Sequence, residues 1–206
     1  MSGTVTLSME IELGWGTHDR AEYTYFTPDA SAESDTLTKL LDCCDQYEIP
    51  ISFDIVGHLL HDSCSGEHPG PHHDSWWAED PDTEAERDPL FYAPQLIEQI
   101  VQADVEHEIC THTYSHILTK TASKEIVQDE IQKALEAHEA FGLQKPESIV
   151  FPRHQTPSLE VLEETDIQIV RRPMENYHSP PGLVRKFLWA LRRTHPVTGI
   201  DASGDV

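Results

Sequence analysis

Short segments with strand character alternate along the chain with segments of helical periodicity, and this order limits the fold more than any other feature. Residues 4–13 (TVTLSMEIEL) alternate with a period of two and are rich in β-forming residues. Later segments at 49–57, 105–112, 147–152 and 167–173 are short, apolar and bounded by turn residues, as buried strands are. Because strands separated by helices pair in parallel, the order predicts a parallel α/β sheet or barrel with five strands.

The helices are predicted from apolar residues that recur three or four positions apart. Ser34 is the expected N-cap of the first helix. Residues 123–142 show the clearest pattern, with Ser123 as N-cap, Gly142 as C-cap and an apolar face formed by Ile126, Ile131, Leu135 and Phe141. The predicted helices span residues 34–48, 93–104, 123–142, 157–166 and 180–195.

Five strands are too few to close a barrel, and the tail 196–206 adds no closing strand. Between the second strand and the second helix, residues 58–93 are polar and rich in Pro, Gly, His and Asp. Loops of this length in a compact domain are functional or disordered. We therefore expect one domain over residues 1–206, truncated at its C-terminal end, with residues 58–93 as a long polar loop insertion.

The charge is strongly acidic, with 37 Asp and Glu against 14 Lys and Arg and a formal net charge of −23. A field of this sign repels nucleic acid and anionic membranes, so neither is an expected partner. The acids are spread along the chain, which favours a solvated acidic surface over an interaction tail. Proteins of high-salt cytoplasms have such surfaces, and we expect a halophilic protein.

The expected location is the cytoplasm. The first residues (MSGTVTLSMEIELGWG) have neither a basic start nor a long apolar run, so no signal peptide is predicted. No stretch approaches the roughly 18 apolar residues of a membrane helix. Cys43, Cys44, Cys64 and Cys110 fit neither a CxxC knuckle nor a disulfide framework, which favours reduced thiols.

The segment HEICTHTYSH (107–116) contains two histidines four residues apart, His112 and His116. On an extended strand that spacing separates them by about 13 Å, too far to share one ion. On a helical turn the rise is about 6 Å and the side chains point the same way, so both could bind one metal. Taken alone, such a pair is more often a surface feature than a metal site.

Glu10 and Glu12 lie two residues apart near the end of the first predicted strand, on one face of it. A carboxylate beside two histidines completes a hydrolytic zinc-type ligand set. In α/β barrels the carboxyl ends of the strands carry the active site, and His112 follows another predicted strand. The alternative is that both glutamates face solvent on an edge strand. Acids inside a core-type strand favour the metal site, since they are costly unless paired or coordinating.

Arg153, in FPRHQTP (151–157), follows the fourth predicted strand. An arginine at that position can pair with a carboxylate, orient it and set its pKa. A purely structural salt bridge is an equally good interpretation of this residue.

The motifs SMEIELGWG, HEICTHTYSH and FPRHQTP, in this order, resemble those of the NodB-type polysaccharide deacetylases. They are most similar to the haloarchaeal deacetylase-like proteins of capsule and exopolysaccharide gene clusters. The resemblance runs from about Val5 to Val206 and so covers nearly the whole chain. It implies a distorted (β/α) barrel and a metal-dependent hydrolase that removes acetyl groups from an N-acetylated sugar or polysaccharide.

The resemblance also implies roles for individual residues. His112 and His116 would be ligands of one divalent metal, with zinc expected and cobalt or another transition metal possible. Glu12 would be the third ligand and Glu10 the catalytic base, although the reverse assignment is open. Arg153 would position the base. The ion would acidify a water molecule whose proton the base takes.

The sequence departs from the family pattern in two places. The family has adjacent aspartates in the first motif, whereas Ile11 separates the two glutamates here. No histidine after Thr194 matches the family's later general acid, and His195 precedes any suitable strand.

Aromatic and histidine residues near the motifs are further candidates. Trp15 follows the first strand, where its ring could stack on a sugar. The same role is less favoured for Trp76 and Trp77. The loop histidines could form a second metal site, but their irregular spacing favours a solvated or substrate-covering loop. These histidines are His58, His61, His68, His72 and His73.

Two other functions fit the same residues. The scaffold and metal could hydrolyse another non-peptide C–N bond, such as a cyclic amide. A non-catalytic carbohydrate-binding or scaffolding barrel is the alternative from a different class, favoured by the glutamates and by the missing C-terminal strands. The intact HTYSH and FPRHQ motifs favour the enzyme.

Overall fold

A computed structural model describes residues 6–172 of the chain and shows the predicted parallel sheet. Each strand pairs in parallel with the next one in the sequence, in the order β1-β2-β3-β4-β5. Neighbouring strands that follow one another in sequence form the wall of a (β/α) barrel, and the five form a curled half-barrel. The strands are β1 (Ser8–Ile11), β2 (Ser52–Ile55), β3 (Glu108–Thr111), β4 (Ser148–Val150) and β5 (Ile169–Arg171).

The strand register aligns the carboxyl ends of the first three strands. Ile11 pairs with Ile55, which in turn pairs with Thr111. The residues that follow β1 and β3 are Glu12 and His112, so both leave the sheet at the same edge. The backbone bond from His112 N to Ile55 O, 2.8 Å long, fixes this alignment.

Three helices flank the sheet: α1 (Ser31–Tyr47), α2 (Pro94–Val101) and α3 (Lys124–Phe141). Both predicted ends of α3 are confirmed, since Ser123 Oγ accepts from Ile126 N at 3.3 Å and Gly142 takes the left-handed conformation (φ 87°). The predicted cap at Ser34 is wrong. Its N–H donates to Ala30 O at 3.0 Å, because the helix already begins at Ser31.

The buried face of α3 is rotated from the predicted one. Ile126, Leu135 and Phe141 are only partly buried. The face that packs against the core instead includes two titratable residues, Glu130 and His138. A search for apolar residues alone cannot identify such a face. The buried residues are Val127, Glu130, Ile131, Ala134, Ala137 and His138.

The predicted helix at 157–166 is wrong. The structure has only a short 3₁₀ turn, Leu159–Leu162, which buries Val161 and Leu162 in the apolar cluster under β4. A turn closed by the bond from Thr165 N to Leu162 O follows, and Gln168 N then donates to Glu147 O at 2.8 Å, which starts the pairing with β4 in place of further helical turns. The predicted helix at 180–195 and the tail after it lie outside the described residues.

Residues 58–93 contain almost no regular structure beyond 3₁₀ turns at Gly57–Leu60 and Asp74–Trp77 and one bridge between Ser63 and Glu84. Much of the segment is nevertheless buried, including Leu59 and Tyr92 with no exposed surface. The segment is therefore packed into the domain. Within residues 6–172, no helix has the length and apolar character needed to cross a membrane.

Candidate metal centre

Glu12, His112 and His116 converge at the carboxyl edge of the sheet, and we call these three residues the strand-end site. Glu12 Oε2 lies 2.8 Å from His116 Nε2 and 3.5 Å from His112 Nε2. One ligand-type atom of each residue lies within 4.8 Å of the others. Both imidazoles are buried, whereas the Glu12 side chain is one-third exposed, so the site is open on the carboxylate side.

The two histidines meet through an irregular bend and not through the predicted helical turn. Thr113 and His116 both have positive φ angles, 65° and 60°. A left-handed conformation is costly for a β-branched residue such as Thr113, of the order of 1–3 kcal/mol. Strain of this kind persists only where surrounding contacts hold it in place.

Glu130, on α3, supplies the contacts that hold the bend. Its Oε2 accepts hydrogen bonds from Tyr114 N at 3.0 Å and Ser115 N at 2.7 Å, and its Oε1 accepts from Ser115 Oγ at 2.5 Å. Glu130 has no exposed surface, and although burial raises its pKa, His72 and Ser115 lower it below the ordinary value. The residue was missed in the sequence, where its only signal is an acid inside a helical apolar stripe.

A backbone contact sets the tautomer of His112. Its Nδ1 lies 2.8 Å from Val150 O and must donate to that carbonyl, so Nε2 faces Glu12 with a free lone pair. His112 Nε2 is buried without a hydrogen-bond partner. Burial raises the pKa of Glu12, but the two imidazoles, when protonated, donate to the carboxylate and outweigh burial, which holds its pKa well below the usual range. A carboxylate and two imidazoles aimed at one point fit a divalent transition metal.

The structure places the other predicted site residues differently. Glu10 does not join the strand-end site, and its Oε1 lies 3.6 Å from His154 Nε2. Arg153 does not contact Glu10 but donates from Nη2 to Asp19 Oδ1 at 2.6 Å. The predicted pairing of Arg153 with a carboxylate is thus present with a different partner. Asp19 was missed because its loop position carries no periodic signal.

Trp15 has no exposed surface, so its ring offers no face to a sugar and the expected stacking role does not fit this structure. Its Nε1 donates to Phe91 O at 3.0 Å, and its ring packs against Trp77 and Phe91. Trp15 is buried because the 3₁₀ turn Leu13–Gly16 bends the chain back over the end of β1. Trp15 therefore belongs to the core.

A groove of about 650 Å³ is lined by His18, Asp19, Trp76 and Ile117, the residue after His116. His18 is buried at the groove wall, its Nδ1 lies 2.7 Å from Trp15 O, and its Nε2 has no partner. Burial lowers the pKa of His18, so the ring is neutral at neutral pH. The groove has the size and mixed polarity of a small-molecule site.

The expected loop was solvated or substrate-covering, but only His73 of the five loop histidines is exposed, and the substrate-covering role stays a prediction. His58 and His68 lie with Cys64 and Asp80 in a second group, here called the loop site, whose ligand-type atoms lie within 4.8 Å of one another. His61 Nε2 lies 3.1 Å from the Tyr114 hydroxyl. The other two histidines are His72, 3.1 Å from Glu130, and His73, which is exposed.

Parallel strands in chain order with ligand-type residues at their carboxyl ends define the class of (β/α)-barrel domains. The family model described as polysaccharide deacetylase matches residues 17–170, which is most of the chain. The chain belongs to the polysaccharide deacetylase family, as its motifs indicated. The match begins after Glu12, so the first motif lies outside it. No curated protein matches the chain.

Solved structures agree with the fold. A protein described as a polysaccharide deacetylase from Mycobacterium smegmatis is 16% identical, with a TM-score of 0.52 over 79% of this chain and 48% of its own. A CE4 family pseudoenzyme from Bacillus anthracis is 15% identical, with a TM-score of 0.50 over 80% of this chain and 41% of its own. The chain thus spans less than half the length of either protein. At these identities the likeness shows the fold alone.

Proposed function

We propose that the chain is a metal-dependent hydrolase that removes the acetyl group from an N-acetylated sugar of a polysaccharide. The observation that carries the proposal is the strand-end site, in which Glu12, His112 and His116 aim ligand atoms at one point beside an open groove. The family supports a carbohydrate substrate. The site fits one divalent ion, and zinc is the ion we expect from two imidazoles and a carboxylate.

When bound, such an ion polarises an amide carbonyl and lowers the pKa of a water molecule. The residues of this chain supply the remaining parts. Val150 O orients His112, and Glu130 holds the bend that aims His116. Three protein ligands leave a coordination position open for the reaction, as catalytic zinc sites do.

The proton from the water needs a carboxylate base, and two residues are candidates. Glu10 is the residue implied by the family resemblance, and its Oε1 lies 3.6 Å from His154 Nε2, with no arginine of residues 6–172 paired to it. Asp19 has the arginine contact that the resemblance assigned to the base, and it lines the groove. An arginine held at 2.6 Å fixes the direction of the carboxylate, which favours Asp19 as the base.

The test is acetate release from an N-acetylglucosamine oligomer by protein stripped of metal and then given zinc in excess of two equivalents. We expect activity to return with the metal and to be lost in Asp19→Asn, while Glu10→Gln retains most of it. Loss in Glu10→Gln alone would return the base role to Glu10. Bound zinc with no acetate released from any N-acetylated oligomer would contradict the deacetylase proposal.

A non-catalytic carbohydrate-binding role is the second candidate. It is favoured by the glutamates of the first motif, of which only Glu12 reaches the histidines. Under this role the oligomer would bind equally well to the wild type and to His112→Ala, without acetate release from either.

A further inference from the structure

The loop site lies in residues 58–80, between β2 and α2, and brings together two imidazoles, a thiol and a carboxylate. His68 Nε2 lies 2.6 Å from Asp80 Oδ2, and His58 Nε2 lies 3.4 Å from the same oxygen. Cys64 Sγ lies 3.5 Å from His68 Nε2. We infer that these four residues form a second, structural metal site of the zinc type that fixes this loop against the strand-end site.

The distances suit a tetrahedral ion. Ligand bonds of about 2.0–2.1 Å to nitrogen or oxygen and 2.3 Å to sulfur separate the donors of a tetrahedron by about 3.3–3.6 Å. The His58–Asp80 and Cys64–His68 distances, 3.4 Å and 3.5 Å, lie in that range. The 2.6 Å contact between His68 and Asp80 is a direct hydrogen bond, which an ion would replace by moving the two atoms apart by less than 1 Å.

Buried nitrogen atoms without hydrogen-bond partners also indicate a metal ion at the loop site. His58 has no exposed surface, and neither of its ring nitrogens has a hydrogen-bond partner. A buried imidazole without partners destabilises the fold, and coordination through one nitrogen removes part of that cost. A thiolate and a carboxylate together neutralise a divalent ion, so the buried site would carry no net charge.

The surroundings orient each ligand. Gly66 N donates to Cys64 Sγ at 3.4 Å, a contact that suits an anionic sulfur. The Tyr92 hydroxyl donates to Asp80 Oδ1, which leaves Oδ2 for the ion. The ring of Trp77 stacks on His68 with centroids 3.9 Å apart and an angle of 13°. These contacts are those expected around a built metal site and not around a chance cluster.

Gly66 shows that the backbone is shaped for this arrangement. Its φ angle is 75°, and a Cβ atom at this position would lie 2.4 Å from Asp82 Oδ1. Glycine is the residue that takes this conformation at low cost. Two residues after Cys64, it lets the chain turn back so that its own N–H reaches the sulfur.

The site explains how an irregular segment stays packed. Residues 58–93 have little helix or strand to order them, and a metal that joins His58 to Asp80 would close most of this loop. The same loop reaches the HTYSH bend, where Trp76 Nε1 donates to Ser115 Oγ at 2.8 Å. The metal would therefore order the groove wall beside the strand-end site. Four protein ligands leave no open position for chemistry, which assigns a structural role.

Cobalt(II) distinguishes the two sites, because only the loop site contains sulfur. The full-length protein is stripped of metal, titrated with cobalt(II) and followed by near-ultraviolet absorption, with bound metal counted by elemental analysis. We expect two equivalents and a thiolate-to-cobalt charge-transfer band. Cys64→Ser should lose the band and one equivalent, whereas Cys43→Ser, which changes an exposed cysteine, should lose neither. His112→Ala should lose one equivalent and keep the band.

A band that survives in Cys64→Ser, or a wild type that binds cobalt without any band, would overturn the inference. If Cys64→Ser does not fold, the wild type alone still decides. Limited proteolysis of the zinc-loaded protein, with and without a chelator, should then show cleavage within residues 58–93 only after chelation. Equal protection of this segment with and without the chelator, together with a missing band, would exclude a structural metal.

Discussion

The strand-end site and the loop site use similar ligands but are assembled in different ways. Glu12 and His112 follow two separate strands, so their meeting depends on the register of the sheet. The loop site comes from one continuous segment, residues 58–80, and depends on tight turns and on packing against aromatic rings. Three ligands leave a position for a substrate, whereas four do not. The difference agrees with the two proposals, which give the strand-end site a role in the reaction and the loop site a role in folding.

The largest expected effect separates the two sites by function. His112→Ala should lower deacetylation by about 10³-fold or more, since it removes a metal ligand. The loss should appear in kcat/KM for acetate release, with the charge-transfer band of the loop site unchanged. Glu86→Ala, which changes an exposed loop residue outside the groove, is the control and should keep full activity. Loss of the band in His112→Ala would mean that the sites are not independent.

Glu130 connects the bend of the strand-end site to the loop 58–93, so a variant of it tests whether this connection stabilises the fold. It binds the HTYSH bend on one side and His72, from the loop, on the other. Glu130→Gln should lower the free energy of unfolding by about 3 kcal/mol, because the amide cannot accept all of these bonds and the bend is strained. Denaturant unfolding measures this, with Glu139→Gln on the exposed face of α3 as control. Equal stabilities would show that the bend needs no carboxylate.

The motifs SMEIELGWG and HTYSH led from the sequence to the strand-end site, because Glu12 and His112 follow strands whose carboxyl ends meet at one edge. Which of Glu10 and Glu12 joins the histidines could not be predicted from the strand alternation, because that pattern places both on one face of the strand. It depends on the turn after β1, where Leu13 takes a positive φ of 42° and the chain bends over the strand end. Asp19 was missed for a related reason, and so were Cys64 and Asp80 of the loop site, although the loop histidines are candidates for a second metal site from the sequence. These residues are brought together by irregular turns, which leave no periodic signal.

His138 is buried like the histidines of the two sites but belongs to neither of them. Among the residues that the structure describes, neither of its ring nitrogens has a hydrogen-bond partner or an acidic neighbour. Burial lowers its pKa to about 4, whereas the unfolded chain has the usual value of 6.5. Between these values the unfolded state takes up the proton and the folded state does not. The free energy of unfolding should therefore fall as pH drops from 6.5 to 4, by about 3 kcal/mol in total.

His138→Leu should remove this part of the acid sensitivity and leave stability near pH 8 little changed. Unfolding by denaturant at pH 8, 6 and 4 measures the difference between variant and wild type. His73→Leu, at an exposed position, removes the bond that His73 Nδ1 accepts from Ser75 N at 3.2 Å, so its stability should differ from the wild type by a similar amount at all three pH values. If the wild type and His138→Leu lose stability in parallel on acidification, the His138 ring is protonated in the folded state.

The smallest effect concerns the ion pair between Arg153 and Asp19. The loop site is enclosed by Trp77 and Tyr92 and, within the described part of the chain, has no such arginine–carboxylate pair among its contacts. Arg153→Lys keeps the charge but loses the planar donor that fixes Asp19, so we expect kcat to fall about tenfold with little change in KM. Arg87→Lys is an exposed control.

The two partners must behave alike if the pair serves the reaction. Asp19→Asn should then lower kcat at least as much as Arg153→Lys, and the double variant should be no worse than Asp19→Asn alone, because the arginine acts only through the carboxylate. Unchanged kcat in both single variants, with lowered stability, would make the pair a structural link between the β1 and β4 loops. The reaction would then use Glu10 as its base. The strand-end site, like the loop site, would have no arginine-held carboxylate with a role in its chemistry.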